Sequence, residues 1–175
     1  MKTLLTNDRR IIVMGVSGCG KTSVARLLAE RLGCDFIEGD DAHPQENIDK
    51  MAAGTPLTDA DRLEWLQTLK QTLQHQANAD SSVVLTCSAL KRRYRDLLRE
   101  GDPHLFFVHL HGDYALIAQR MQSRSRHFMP TALLDSQFAD LEPLQADEFG
   151  VVLDVRHSLE ELVDQAIDAV GITIT

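Results

Sequence analysis

One eight-residue stretch, Gly15-Val16-Ser17-Gly18-Cys19-Gly20-Lys21-Thr22, constrains this chain more than any other. It follows the apolar run Ile11-Ile12-Val13-Met14 and enters a segment in which Val24, Leu27, Leu28 and Leu32 recur at helical spacing. The pattern G-x-x-x-x-G-K-[ST] between a strand and a helix reads as a phosphate-binding loop. Gly15, Gly18 and Gly20 allow positive φ, so that backbone N–H groups and the helix N-terminus turn toward phosphate oxygens. Lys21 is expected to bridge the β- and γ-phosphates of a nucleotide, and the Thr22 hydroxyl to ligate Mg²⁺.

At 175 residues and 43% hydrophobic content the chain is read as one α/β domain over residues 1–175. A formal net charge of −8 argues against nucleic-acid binding, which needs a basic face. Cys19, Cys34 and Cys87 are widely spaced and form no C-x-x-C pair, as expected of reduced thiols. Residues Met1 to Asp8 are short and polar for a signal peptide, and no apolar run approaches membrane-spanning length. The expectation is a cytoplasmic protein without a membrane partner.

Gly33 closes the first helix, and Cys34–Glu38 reads as a second strand ending in Gly39-Asp40-Asp41-Ala42-His43-Pro44. Pro44 is read as the first residue of a helix through about Ala53, and Thr58-x-x-Asp61 as the cap of a longer one through about His75. Together, residues 44–80 form a helical insertion expected to bind the substrate. Ser82–Cys87 is a buried central strand, and Leu105–Leu110 a fourth. A helix near Asp113 to Ser123 leads into a basic segment, with a lid expected at about 124–132. A helix from about Thr131 to Leu141, a fifth strand Val151–Val155, and a capping box Ser158-x-x-Glu161 opening a last helix through Val170 complete the chain. Strand–helix alternation indicates a five-stranded parallel sheet flanked by helices.

The chain carries no N-K-x-D guanine-nucleotide signature, and its third strand ends in Thr86-Cys87-Ser88 where a motor ATPase needs an acidic residue. A small-molecule kinase remains. Glu38 and Asp40, two apart at a strand end, face one side if the chain stays extended. Glu38 is then assigned to the Mg²⁺ shell and Asp40 to the base that takes a proton from the attacking hydroxyl; the competing reading is a solvated acidic loop. His43, held extended by Pro44, either donates to the acceptor or is a structural loop histidine. Arg62, Lys91 and Arg95 are candidates for an anionic group on the acceptor, with Lys91 and Arg95 four apart on one helical face. Arg120 and Arg124 are candidates for neutralising the transferred phosphoryl group. Cys19, at a helix N-terminus, is expected to have a lowered thiol pKa and to be modifiable unless nucleotide shields it.

Further motifs are more particular: Gly39-Asp40-x-x-His43-Pro44, Asn47-Ile48-x-Lys50-Met51, Pro56-Leu57-x-Asp59-x-Asp61-Arg62, Cys87-Ser88-Ala89-Leu90-Lys91, Tyr94-Arg95-Asp96-x-Leu98-Arg99, His127-Phe128 and Ser136-Gln137-Phe138-x-x-Leu141-Glu142-x-Leu144. On these residues, together with the first loop, the chain resembles bacterial and eukaryotic gluconokinases of the short P-loop kind over nearly its whole length. The resemblance implies a three-layer nucleoside-monophosphate-kinase-like fold, use of ATP with Mg²⁺, D-gluconate as acceptor, and a homodimer. It also brings Gln137 into the substrate-binding set. Cys19 stands where serine is frequent in that family, and Arg126 where glycine is common. A kinase of another small hydroxy acid, such as shikimate, and a nucleotide-binding regulator without turnover are the alternative readings.

Overall fold

Residues 8–123 and 131–171 are described by the computed structural model. Five short runs rich in β-branched and apolar residues become strands: β1 Arg10–Met14, β2 Asp35–Glu38, β3 Val83–Thr86, β4 Phe106–His111 and β5 Gly150–Asp154. They pair in parallel in the order β2-β3-β1-β4-β5, so β1 is central, with Ile12 beside Leu85 on one side and Phe107 on the other. The helices are α1 Lys21–Leu32, α2 Gln45–Ala52, α3 Asp59–Asn78, α4 Arg92–Arg99, α5 Tyr114–Gln122, α6 Thr131–Asp140 and α7 Leu159–Val170. A 3-10 turn covers Gly39–Ala42.

Side chains alternate across each strand, so the sheet has two apolar faces, and each needs its own cover. Ile11, Val13, Val84 and Val108 pack against α1 and α7 through Val24, Leu28, Val163 and Ala166. On the other face Ile12, Met14, Leu85 and Phe107 meet Trp65, Leu69 and Leu73 of α3 and Leu98 of α4. The outcome is the three-layer α/β architecture expected from the sequence. Among the described residues no helix is long and apolar enough to cross a membrane.

Local signals act as anticipated at some helix ends and differently at others. Thr58 and Asp61 form a reciprocal capping box at α3, which runs to Asn78 rather than His75. Pro44 stands outside α2 as its cap, with ψ 152, because its fixed ring geometry admits an extended backbone as readily as a helical one. At α7 only half the expected box forms: Ser158 accepts from the Glu161 N–H, while the Glu161 carboxylate turns to His157 Nδ1, 3.0 Å away.

Candidate active site

The loop after β1, the turn after β2 and the segment after β3 open at the same carboxyl edge of the sheet, where ligands bind in open α/β folds. Gly15, Gly18 and Gly20 have φ of 145°, 81° and 96°. At Gly15 the requirement is steric as well, since a Cβ would lie 2.7 Å from the Leu110 carbonyl oxygen. The Gly15 N–H donates to the Ser88 carbonyl at 3.3 Å, tying the loop to the end of β3. Lys21 folds back over the loop, its Nζ 3.0 Å from the Gly15 carbonyl oxygen and 3.2 Å from that of Val16. The Ser17 N–H donates to Gln137 Oε1 of α6 at 2.7 Å.

After β2 the chain does not stay extended. Gly39 lies so close to β3 that a Cβ would come within 1.8 Å of the Thr86 carbonyl oxygen, and the backbone then winds into the 3-10 turn. Glu38 and Asp40 therefore diverge, correcting the same-side geometry inferred from their spacing. The Glu38 carboxylate accepts from Thr22 Oγ1 at 2.8 Å and from the Thr86 hydroxyl, beside the start of α1. Asp40 instead faces the cleft.

That cleft brings together Lys21, Asp40, His43, Arg62, Ser88 and Gln137. Arg62 donates to the Tyr94 hydroxyl at 2.8 Å and to Asp140 Oδ2 at 3.1 Å. His43 stacks on Trp65, with ring centroids 4.1 Å apart, and Trp65 Nε1 donates to the Gly39 carbonyl at 2.8 Å. Burial holds the His43 imidazole below its ordinary pKa; Asp40 opposes the shift and Arg62 adds to it.

Other expected site residues stand elsewhere. Arg95 is fully buried: its guanidinium is forked onto Glu148 at 2.7 and 3.1 Å and donates to the Ala89 carbonyl at 2.8 Å. The expectation that it grips the acceptor is corrected, because α4 begins only at Arg92 and turns this side chain into the protein. Lys91, the residue before α4, does not line the cleft; it pairs with Asp59 at 3.1 Å and lies 3.9 Å from Asp140. Arg120 donates to the Val155 carbonyl at 2.8 Å, while Arg124 lies outside the described residues. Cys19 is 2% exposed, and burial raises its thiol pKa, overturning the reactive-thiol expectation: lost hydration outweighs the helix N-terminus and Lys21.

Sequence reasoning missed Thr86, Trp65, Asn47 and Asp140 as site residues. Trp65, the single tryptophan in the chain, carried a detectable signal, whereas Thr86 and Asp140 resemble ordinary strand and helix residues.

The chemistry of the donors fits the expected ligands. Loop N–H groups, a helix N-terminus and Lys21 suit phosphates, and a carboxylate beside a threonine hydroxyl suits a hard, oxygen-seeking Mg²⁺ ion. Fold and site together define a P-loop kinase. A family model described as an AAA domain matches residues 11–144. The thermosensitive gluconokinase of Escherichia coli K12 is 48% identical over 160 residues, covering 91% of this chain and 86% of its own. A gluconokinase structure from Sinorhizobium meliloti 1021 superposes with a TM-score of 0.86 at 47% identity, covering 93% of this chain and 91% of its own. An unliganded Janibacter sugar kinase gives a TM-score of 0.91 at 48% identity, covering 95% and 96%. The chain belongs to the gluconokinase family.

Proposed function

We propose that this chain transfers the γ-phosphoryl group of ATP to the 6-hydroxyl of D-gluconate, giving 6-phospho-D-gluconate and ADP. The observation that carries this reading is the convergence in one cleft of Lys21 from the phosphate loop with Asp40, His43 and Arg62 from the acceptor side. Asp40 takes the proton of the 6-hydroxyl as its oxygen bonds to the γ-phosphorus, and the bond to the β–γ bridging oxygen breaks. Lys21 offsets the charge developing across that bond, and the loop N–H groups hold the departing diphosphate. Thr22 and Glu38 hold Mg²⁺, which supplies charge neutralisation at the phosphates.

On the acceptor side, Arg62 and His43 orient gluconate, with Lys91 at the margin and Gln137 linking α6 to the loop. Arg120, on the helix leading into it, and Arg124 neutralise charge on the nucleotide together with a lid at about 124–132, a segment whose residues 124–130 lie outside those described. Residues 44–80 form the acceptor-binding insertion of a single kinase domain. The same reading has the protein acting in the cytoplasm as a homodimer, and its net charge of −8 fits the absence of a nucleic-acid partner.

Coupled ADP release with ATP–Mg²⁺ and a panel of D-gluconate, other sugar acids, polyols and shikimate tests the reading. Selective turnover of D-gluconate is expected. Turnover of shikimate alone keeps the kinase and replaces its acceptor, and nucleotide binding without turnover of any acceptor overturns the enzyme reading.

A further inference from the structure

We infer that Asn47 is a positioning residue that holds His43 in the Nε2–H tautomer, so that His43 serves the acceptor cleft as a neutral hydrogen-bond donor. The inference rests on reading this cleft as the gluconate site, and it deepens that reading by assigning the proton.

Asn47 is 3% exposed, and its amide nitrogen makes two contacts. One is to the Asp61 carbonyl oxygen at 2.8 Å. A carbonyl only accepts, so the Asn47 atom facing it is the NH₂ group rather than the oxygen. The second contact of the same nitrogen is His43 Nδ1, at 3.3 Å. An NH₂ hydrogen aimed at a ring nitrogen requires a lone pair there, so the proton of the neutral ring is on Nε2. Asp61 is itself fixed, its carboxylate held by Lys50 at 2.8 and 3.0 Å and by the Thr58 N–H at 2.9 Å.

The ring cannot trade its edges cheaply. Stacked on Trp65 and 4% exposed, it would present a C–H to the Asn47 amide if it flipped. In the observed orientation Nε2 points toward Asp40, 3.9 Å from Oδ1. Adding a proton at Nδ1 would set two N–H groups against each other. The charged groups around the ring are Asp40 on the 3-10 turn and Arg62 on α3, with Lys21 also lining the cleft; Lys50 and Asp61 neutralise one another.

The consequence concerns division of labour. His43 has no free lone pair for the acceptor hydroxyl, so it does not compete with Asp40 as base. Its Nε2–H donates to an acceptor oxygen and thereby sets which oxygen of the substrate lies beside Asp40.

Long-range ¹H–¹⁵N correlation spectra of the ¹⁵N-histidine-labelled protein near pH 7 read the tautomer directly. Wild type is expected to show an unprotonated Nδ1 and a protonated Nε2 at His43. Asn47→Asp, which can only accept, is expected to bring a proton to Nδ1, and Asn47→Leu to give mixed tautomers. A predominant Nδ1–H form in wild type, or an unchanged tautomer in both variants, overturns the inference. Kinetics supply a second arm on variants whose thermal melting stays cooperative. His43→Gln, whose amide N–H replaces Nε2–H, keeps gluconate kcat/KM within roughly 10-fold, whereas His43→Leu and His43→Glu lose roughly 10- to 100-fold, chiefly in KM. Glu matching Gln would overturn the donor role. Absence of gluconate turnover in wild type with the expected tautomer intact would instead overturn the functional reading alone.

Discussion

On its phosphate-loop side the cleft is shaped by glycines within eight consecutive residues; on the opposite side, where we propose the acceptor binds, it is side chains drawn from positions between Asp40 and Gln137. The first wall depends on conformations that only glycine reaches cheaply, which makes it local and recognisable. The second depends on supports: Trp65 beneath His43, and Asp140 and Tyr94 beside Arg62. A binding surface made of backbone tolerates changes in neighbouring side chains, whereas one made of side chains is only as exact as the residues behind it.

The sharpest way to break this comparison is at the point charge of the first wall. Lys21→Ala is expected to reduce kcat by about 1,000-fold or more while circular dichroism and melting stay near wild type. A variant with normal turnover would remove the phosphate-loop assignment. Across the cleft, Asp40→Asn should lower kcat by roughly 100- to 10,000-fold with ATP affinity little changed, as measured by single-turnover kinetics and nucleotide titration. An effect confined to KM would make Asp40 a binding group.

A smaller effect separates support from contact. Arg95→Met takes the forked partner from the buried Glu148 carboxylate, leaving it Arg99 and the Gln145 N–H, and removes the donor to the Ala89 carbonyl, so it should cost about 3–5 kcal/mol in urea unfolding. If the folded variant instead kept its stability and lost only gluconate affinity, Arg95 would belong to the acceptor wall after all.

The smallest effect lies under both walls, in the sheet. His109 is 2% exposed, its Nδ1 has no hydrogen-bond partner among the described residues, and burial followed by His111 lowers its pKa to about 4. Below the ordinary value of about 6.5 the unfolded chain takes up a proton that the folded chain refuses, so stability falls with falling pH. The loss should begin near pH 6.5 and level off near pH 4, amounting to on the order of 3 kcal/mol, with His43 contributing in the same direction. His109→Leu should flatten most of that slope in urea midpoints measured across the range. An unchanged slope would assign the pH dependence elsewhere.

Much of the architecture was readable in advance because its causes are local. The run Ile11–Met14 followed by the glycine loop announces a central strand entering a helix, and Thr58 with Asp61 announces α3. The departures share one cause. Extended spacing puts Glu38 and Asp40 on one side, helical spacing puts Lys91 and Arg95 on one face, and a capping pattern points Glu161 at its own helix start, yet Gly39 pressed against Thr86, the α4 start at Arg92 and the nearby His157 decide each case. Cys19 followed the same course: a helix N-terminus lowers a thiol pKa, but burial raises it more.

Residue types and short spacings sufficed to establish the phosphate loop, the parallel α/β sheet and the family, because backbone conformation and periodic burial are properties of a few neighbouring residues. Which carboxylate meets Thr22, which arginine reaches the cleft and which nitrogen of His43 carries its proton were decided only when distant segments packed together. Those outcomes depend on hydrogen-bond partners and lost hydration, and both exist only once the chain has folded.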